Sequence, residues 1–130
     1  MTEEVVYIDF FQAVRLHFEL MRLRGETRFG IDSRDLVESA LARPRHASVY
    51  EDADLIRQAA TLCFGLIKNH PWIGGNKRTA SFLMDTFLFN NGIEMTASVG
   101  DVIEMVLAVE ADRWHVNEIE AWLRPRSVKL

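Results

Sequence analysis

The chain has a single cysteine, Cys63, and only three prolines and seven glycines among its 130 residues. One thiol builds neither a disulfide framework nor a thiolate metal site, and it suits a reducing compartment. Long apolar runs are missing as well. The longest stretch without Asp, Glu, Lys or Arg is Gln58 to Ile67, ten residues, against the roughly 20 that span a bilayer, so no membrane association is expected. Nor is there a basic excess: 15 Lys and Arg against 19 Asp and Glu leave a net charge of -4, which argues against direct nucleic-acid binding by counterion displacement. The start Met1-Thr2-Glu3-Glu4 carries acid where a secretion signal carries base, and no apolar segment with a small-residue cleavage site follows it. A cytoplasmic location is therefore expected. No repeat, low-complexity stretch or linker divides the chain, so residues 1–130 read as one domain. What is present, 48% hydrophobic with 26% charged residues, is the balance of an ordinary globular core.

Phe10, Phe11, Val14, Phe18 and Met21 recur with a helical period, with Asp9 as N-cap and Gly25 as terminator. Asp32-Ser33-Arg34-Asp35 opens a second helix through Leu41, about three turns long and closed by Pro44. From Arg43 to Glu51 the period fails, and Pro, His, Ser and the β-prone pair Val49-Tyr50 suggest a surface loop or small hairpin. Asp52 or Asp54 caps a third helix whose broad apolar face (Leu55, Ile56, Ala59, Leu62, Cys63, Leu66, Ile67) marks it as central and buried. His70-Pro71-Trp72-Ile73-Gly74-Gly75 breaks it. Asn76 begins a fourth helix, with Phe82, Leu83, Thr86, Phe87 and Phe89 directed inward, which stops at Asn90-Asn91-Gly92. A fifth follows Ser98 to about Ala111, and a sixth covers Val116 to Leu123. The fold class is all-α, a compact six-helix bundle with a short flap between helices two and three; strand-like alternation is confined to Val5–Ile8.

Chemistry concentrates in the break between helices three and four. The first amides of a helix lack internal partners and carry the positive end of its dipole, which makes them an anion site. Gly74 and Gly75 allow close approach to the backbone. Lys77 and Arg78 oppose the dipole by roughly 0.3–1 kcal/mol each unless an anion lies between them. His70, just upstream, is a residue type that takes protons near neutral pH. Each feature alone has a plain reading: His70 as a C-cap, Asn76 as an N-cap, Gly-Gly as a turn. His17, His46 and His115 lack partners at ligand spacing, and Trp72, Trp114 and Trp122 read as core or loop anchors.

The run His70-Pro71-Trp72-Ile73-Gly74-Gly75-Asn76-Lys77-Arg78-Thr79-Ala80 resembles the signature of the Doc (death-on-curing) branch of the Fic superfamily, H-P-F-x-D-G-N-K-R-T-A. Ile31–Pro44 resembles that family's second-helix segment and Glu120-Ala121-Trp122-Leu123 its C-terminal helix. The resemblance implies a Fic/Doc-type bundle and the toxin of a bacterial toxin–antitoxin pair, a Doc-like protein kinase that passes the γ-phosphate of ATP to a hydroxyl of translation elongation factor Tu. It implies His70 as general base, Gly75, Asn76, Lys77 and Arg78 as nucleotide-phosphate ligands, and Arg45, His46, Ala47, Ser48, Val49 and Tyr50 as a flap that holds the target chain by strand-like pairing. Lys77 stands where nucleotide-transferring Fic proteins carry a second Gly. A Fic-type AMP-transferase is the alternative reading, and a catalytically silent antitoxin-binding module is the third.

Two positions depart from the signature. Trp72 replaces Phe and brings an N–H that needs a partner. Gly74 replaces the acid that in the family helps hold Mg2+, an ion commonly bound through one or two carboxylates plus phosphates; Asp at position 74 is expected to raise transfer. The resemblance further implies a Phd-like antitoxin acting in trans, because the S/T-x-x-x-E pattern of self-restrained relatives is missing. Phe11, Arg15, Phe18 and Arg22 on the first helix form a candidate wall for an antitoxin helix, and its apolar members read equally well as core.

Overall fold

A computed structural model describes residues 4–130; Met1–Glu3, most of the acidic start considered above, lie outside the described residues. Six helices form: α1 Phe10–Leu23, α2 Arg34–Glu51, α3 Leu55–Asn69, α4 Asn76–Asn90, α5 Val99–Glu110 and α6 Val116–Leu123, followed by a 3-10 turn at Arg124–Arg126. Short-range capping sets most of their starts. The side chains of Asp9, Ser33, Asp54 and Ser98 each accept an N–H from the first turn of the helix that follows. For α2 the cap is Ser33 rather than Asp32.

α3 is the central helix, packed against α2, α4, α5 and α6. Its buried face includes Ala59, Ala60, Leu62, Cys63, Leu66 and Ile67, and burial pushes the Cys63 thiol up to about 12. α4 contributes Ala80, Leu83, Met84, Phe87 and Leu88 to the same core; truncating a ring such as Phe87 to Ala costs about 3–5 kcal/mol. Phe89, expected inward, is exposed. Trp122 is buried and Trp114 half-buried. No helix among the described residues is long and apolar enough to cross a membrane.

Three expectations give way to tertiary structure. Pro44 does not end α2. Val37, Ala40, Pro44 and Ala47 form its buried stripe, so packing of the ring offsets the hydrogen bond that proline removes. Arg45, His46, Ala47, Ser48, Val49 and Tyr50 are consequently helical, not a flap, and only Asp52–Asp54 joins α2 to α3. Val5–Ile8 forms no strand; Asn91 holds it instead, its Oδ1 accepting the Val6 N–H at 2.8 Å and its Nδ2 donating to the Val6 carbonyl at 2.9 Å. The strands that do form are β1, Ile93–Met95, and β2, Ser127–Lys129, an antiparallel pair with Glu94 opposite Val128. On α1, Phe11, Arg15 and Arg22 are exposed while Phe18 is half-buried against Phe29, and Ala13, His17 and Met21 face the core.

Candidate functional site

The loop from His70 to Gly75 is held by its own helix start and by the segment after α1. His70 closes α3 in the left-handed region, φ +50° and ψ +53°, a conformation that costs a non-glycine residue on the order of 1 kcal/mol and that collects at functional sites. Buried Asn76 maintains it. Its Oδ1 accepts the Trp72 N–H at 2.9 Å, and its Nδ2 donates to the Trp72 carbonyl at 2.8 Å and to His70 Nδ1 at 3.2 Å. Because the Trp72 amide fixes which end of the Asn76 side chain points where, Nδ1 is the acceptor nitrogen of neutral His70 and Nε2 carries the proton.

Across the loop, the Pro71 carbonyl accepts the N–H groups of Asp32 and Ser33, and Ile73 donates to the Gly30 carbonyl at 2.9 Å. Trp72 is buried and stacks on the His17 ring, centroids 4.1 Å apart. His17 is itself fully buried; its Nε2 accepts the Gly30 N–H at 3.0 Å, so Nδ1 donates to Thr79 Oγ1 at 2.8 Å. Desolvation pushes His17 down to about 4, which keeps this relay neutral. The partner expected for the Trp72 indole N–H does not materialise: Nε1 is buried with none among the described residues, a cost of about 1–3 kcal/mol.

α4 starts differently from its neighbours. Gly75 is its N-cap at φ +70°, with no side-chain cap and no acid in the first turn. The amides of Asn76, Lys77 and Arg78 therefore point outward without helical partners, beside two cations. Each cation has found a carboxylate from afar: Lys77 Nζ lies 2.8 Å from Glu110 Oε2 at the end of α5, and Arg78 lies 2.8 Å from Glu26 Oε1 in the turn after α1. The Lys77 ammonium holds the Glu110 carboxyl below its ordinary range. These pairs are exposed, worth about 0–1 kcal/mol each, and an arriving phosphate can displace them.

His70, Gly75, Asn76, Lys77 and Arg78 are thus gathered in one place, though the Asn76 side chain is engaged by the loop and only its backbone N–H is open to an anion. The residues Arg45–Tyr50 are not gathered with them. α2 runs antiparallel to α3, with Asn69 donating to the Leu36 carbonyl and Glu51 paired with Arg57. Arg45–Tyr50 therefore lie toward the far end of a helix about 22 Å long. There His46, Ala47 and Tyr50 border a cleft of about 550 Å3 that also includes Arg43, Arg57 and Val116. Local reading missed His17, Glu26, Arg28 and Glu110, which reach the loop only through the fold. The residues do not fit a divalent cation held as in the signature: Gly74 offers no carboxylate, and no cluster of three His, Cys, Asp or Glu suited to a metal occurs among the described residues.

The sequence profile of the Fic/DOC family matches residues 7–88, from just before α1 nearly to the end of α4. Toxin Doc of Mycolicibacterium smegmatis (strain ATCC 700084 / mc(2)155) is 45% identical over 80 residues, 56% of this chain and 61% of that protein. The chain thus spans about three fifths of the length of this curated relative.

Proposed function

This chain belongs to the Fic/DOC family, and from that premise we propose that it is the toxin of a toxin–antitoxin system, a kinase that moves the γ-phosphoryl group of ATP to a hydroxyl of elongation factor Tu. The observation that carries the reading is the pairing of an acceptor nitrogen, His70 Nδ1, with the uncapped start of α4 next to it. ATP phosphates dock on the outward amides of Asn76, Lys77 and Arg78 and take Lys77 and Arg78 from Glu110 and Glu26. The target hydroxyl replaces the long Asn76 contact at His70 Nδ1. As its oxygen bonds to the γ-phosphorus, the bond from that phosphorus to the β,γ-bridging oxygen breaks, ADP departs, and the hydroxyl proton passes to His70. Little covalent chemistry is asked of the protein beyond this; positioning and charge stabilisation dominate phosphoryl transfer.

The name of the Mycolicibacterium relative supports the toxin role, and Lys77, in place of the Gly of nucleotide-transferring relatives, supports the γ- over the α-phosphate. A Phd-like antitoxin in trans and a cytoplasmic setting follow from the same reading. The test is transfer from γ-labelled and α-labelled ATP to purified elongation factor Tu by the unaltered chain. γ-Label on the target is expected. α-Label would mean nucleotidyl transfer, and no label from either overturns the kinase reading in favour of a silent binding module.

A further inference from the structure

Gly74 has no conformational reason to be glycine, since it is not among the glycines in the left-handed region. Its reason is space. A Cβ at position 74 would overlap the backbone carbonyl oxygen of Arg28 and lie 3.7 Å from Arg28 Cγ. That stretch of backbone is not free to withdraw. Glu26 N–H donates to the Met21 carbonyl at 2.9 Å, and Gly30 is held on both sides, by His17 through its N–H and by Ile73 through its carbonyl. The turn between α1 and α2 therefore sits where the signature places an acidic side chain. It also brings a cation: Arg28 is exposed and has no carboxylate partner among the described residues. An acid with a divalent cation adds about one net positive charge beside a polyphosphate, and one arginine adds the same.

We infer that the turn carrying Arg28 has taken the place of the acid and its metal, so that Arg28 is a phosphate ligand of this site, polyphosphate binding does not depend on a metal held through position 74, and an acid cannot be put back there. The inference rests on the proposal above that phosphates dock at the start of α4, and it runs against the expectation that Asp at position 74 raises transfer.

The experiment is calorimetric titration of the unaltered chain with ATP and with inorganic tripolyphosphate, in EDTA and in excess Mg2+, beside thermal melting of position-74 variants. Binding in EDTA is expected to be at least as tight as in Mg2+. Arg28→Ala should weaken it about tenfold or more and Arg28→Lys should recover part of that loss. Gly74→Ala and Gly74→Asp should both lower the melting temperature by about 5 °C or more, and Gly74→Asp should gain no Mg2+ dependence. Tightening by Mg2+ of about tenfold in the unaltered chain, unchanged affinity in Arg28→Ala, or a normally melting Gly74→Asp that binds more tightly with Mg2+ would each overturn it. If neither probe binds, or if binding ignores Lys77→Ala and Arg78→Ala, the docking proposal fails and the Arg28 half falls with it, while the packing half still stands or falls on the melting temperatures.

Discussion

The starts of α3 and α4, the two helices at the centre of the core, are built in opposite ways. At α3, Asp54 accepts the Arg57 N–H at 3.0 Å and is gripped by Arg124 at 2.8 and 3.1 Å; Arg57 in turn bonds Glu51, Asn117 and Glu120, and Glu120 closes the network onto Arg124. Acid stands at the positive end of the dipole, and its neighbours neutralise the acid. At α4 a glycine leaves the amides uncapped, and Lys77 and Arg78 add positive charge where the dipole is already positive. One helix start is completed by its own chain. The other, on a helix of the same length, keeps its first amides uncapped, and its two cations are met only by exposed carboxylates from distant elements, Glu110 and Glu26.

The contrast breaks most decisively at His70. His70→Ala is expected to lower phosphoryl transfer about 10^2- to 10^4-fold while leaving the melting temperature nearly unchanged. A melting temperature many degrees lower would make this end structural, like the start of α3.

A pH titration of stability sharpens the comparison next. His17, behind the α4 start, stays neutral in the folded chain down to about pH 4, whereas in the unfolded chain it takes a proton near pH 6.5. Between those values the unfolded state binds more protons, so stability is full above about pH 6.5 and falls by up to roughly 1.4 kcal/mol per pH unit on acidification. Denaturant unfolding at pH 7 and pH 5 checks this; a His17→Gln chain with an equally steep decline would refute it.

Asn76→Ala should cost about 2–3 kcal/mol by leaving the buried N–H and carbonyl of Trp72 without partners. A loss below about 1 kcal/mol in urea unfolding would show that the loop does not depend on it. The smallest effect is expected at the other helix start, where Asp54→Ala removes a cap worth about 1 kcal/mol. Hydrogen bonding by Arg124 holds the Asp54 carboxyl below its ordinary range. Its contribution is therefore present above that range and lost as pH falls through it, and the acid limb of unfolding should flatten in the variant without changing ATP binding.

Much of this architecture is legible at short range. Asp9, Asp54 and Ser98 act within three residues of themselves, and the wide apolar face from Leu55 to Ile67 marks α3 as the buried helix before any neighbour is known. The candidate anion site is legible for the same reason, since Gly-Gly followed by Asn76-Lys77-Arg78 is a local mismatch between charge and dipole. Pro44 misleads because its effect depends on what the ring packs against. Ile93–Met95 and Ser127–Lys129 are too short to announce themselves and pair only once α5 and α6 have returned the chain.

The sequence by itself determined six helices, their order, and the position of the uncapped start at Asn76, because capping and periodicity are interactions between residues three or four apart. Only the tertiary structure decided that Arg45–Tyr50 are helix, that Glu110 and Glu26 meet Lys77 and Arg78, that His17 braces Trp72 and Thr79, and that the Arg28 carbonyl fills the space beside Gly74. Those contacts join residues 33, 52, 55, 62 and 46 positions apart, and nothing local to either partner carries the information that they will touch.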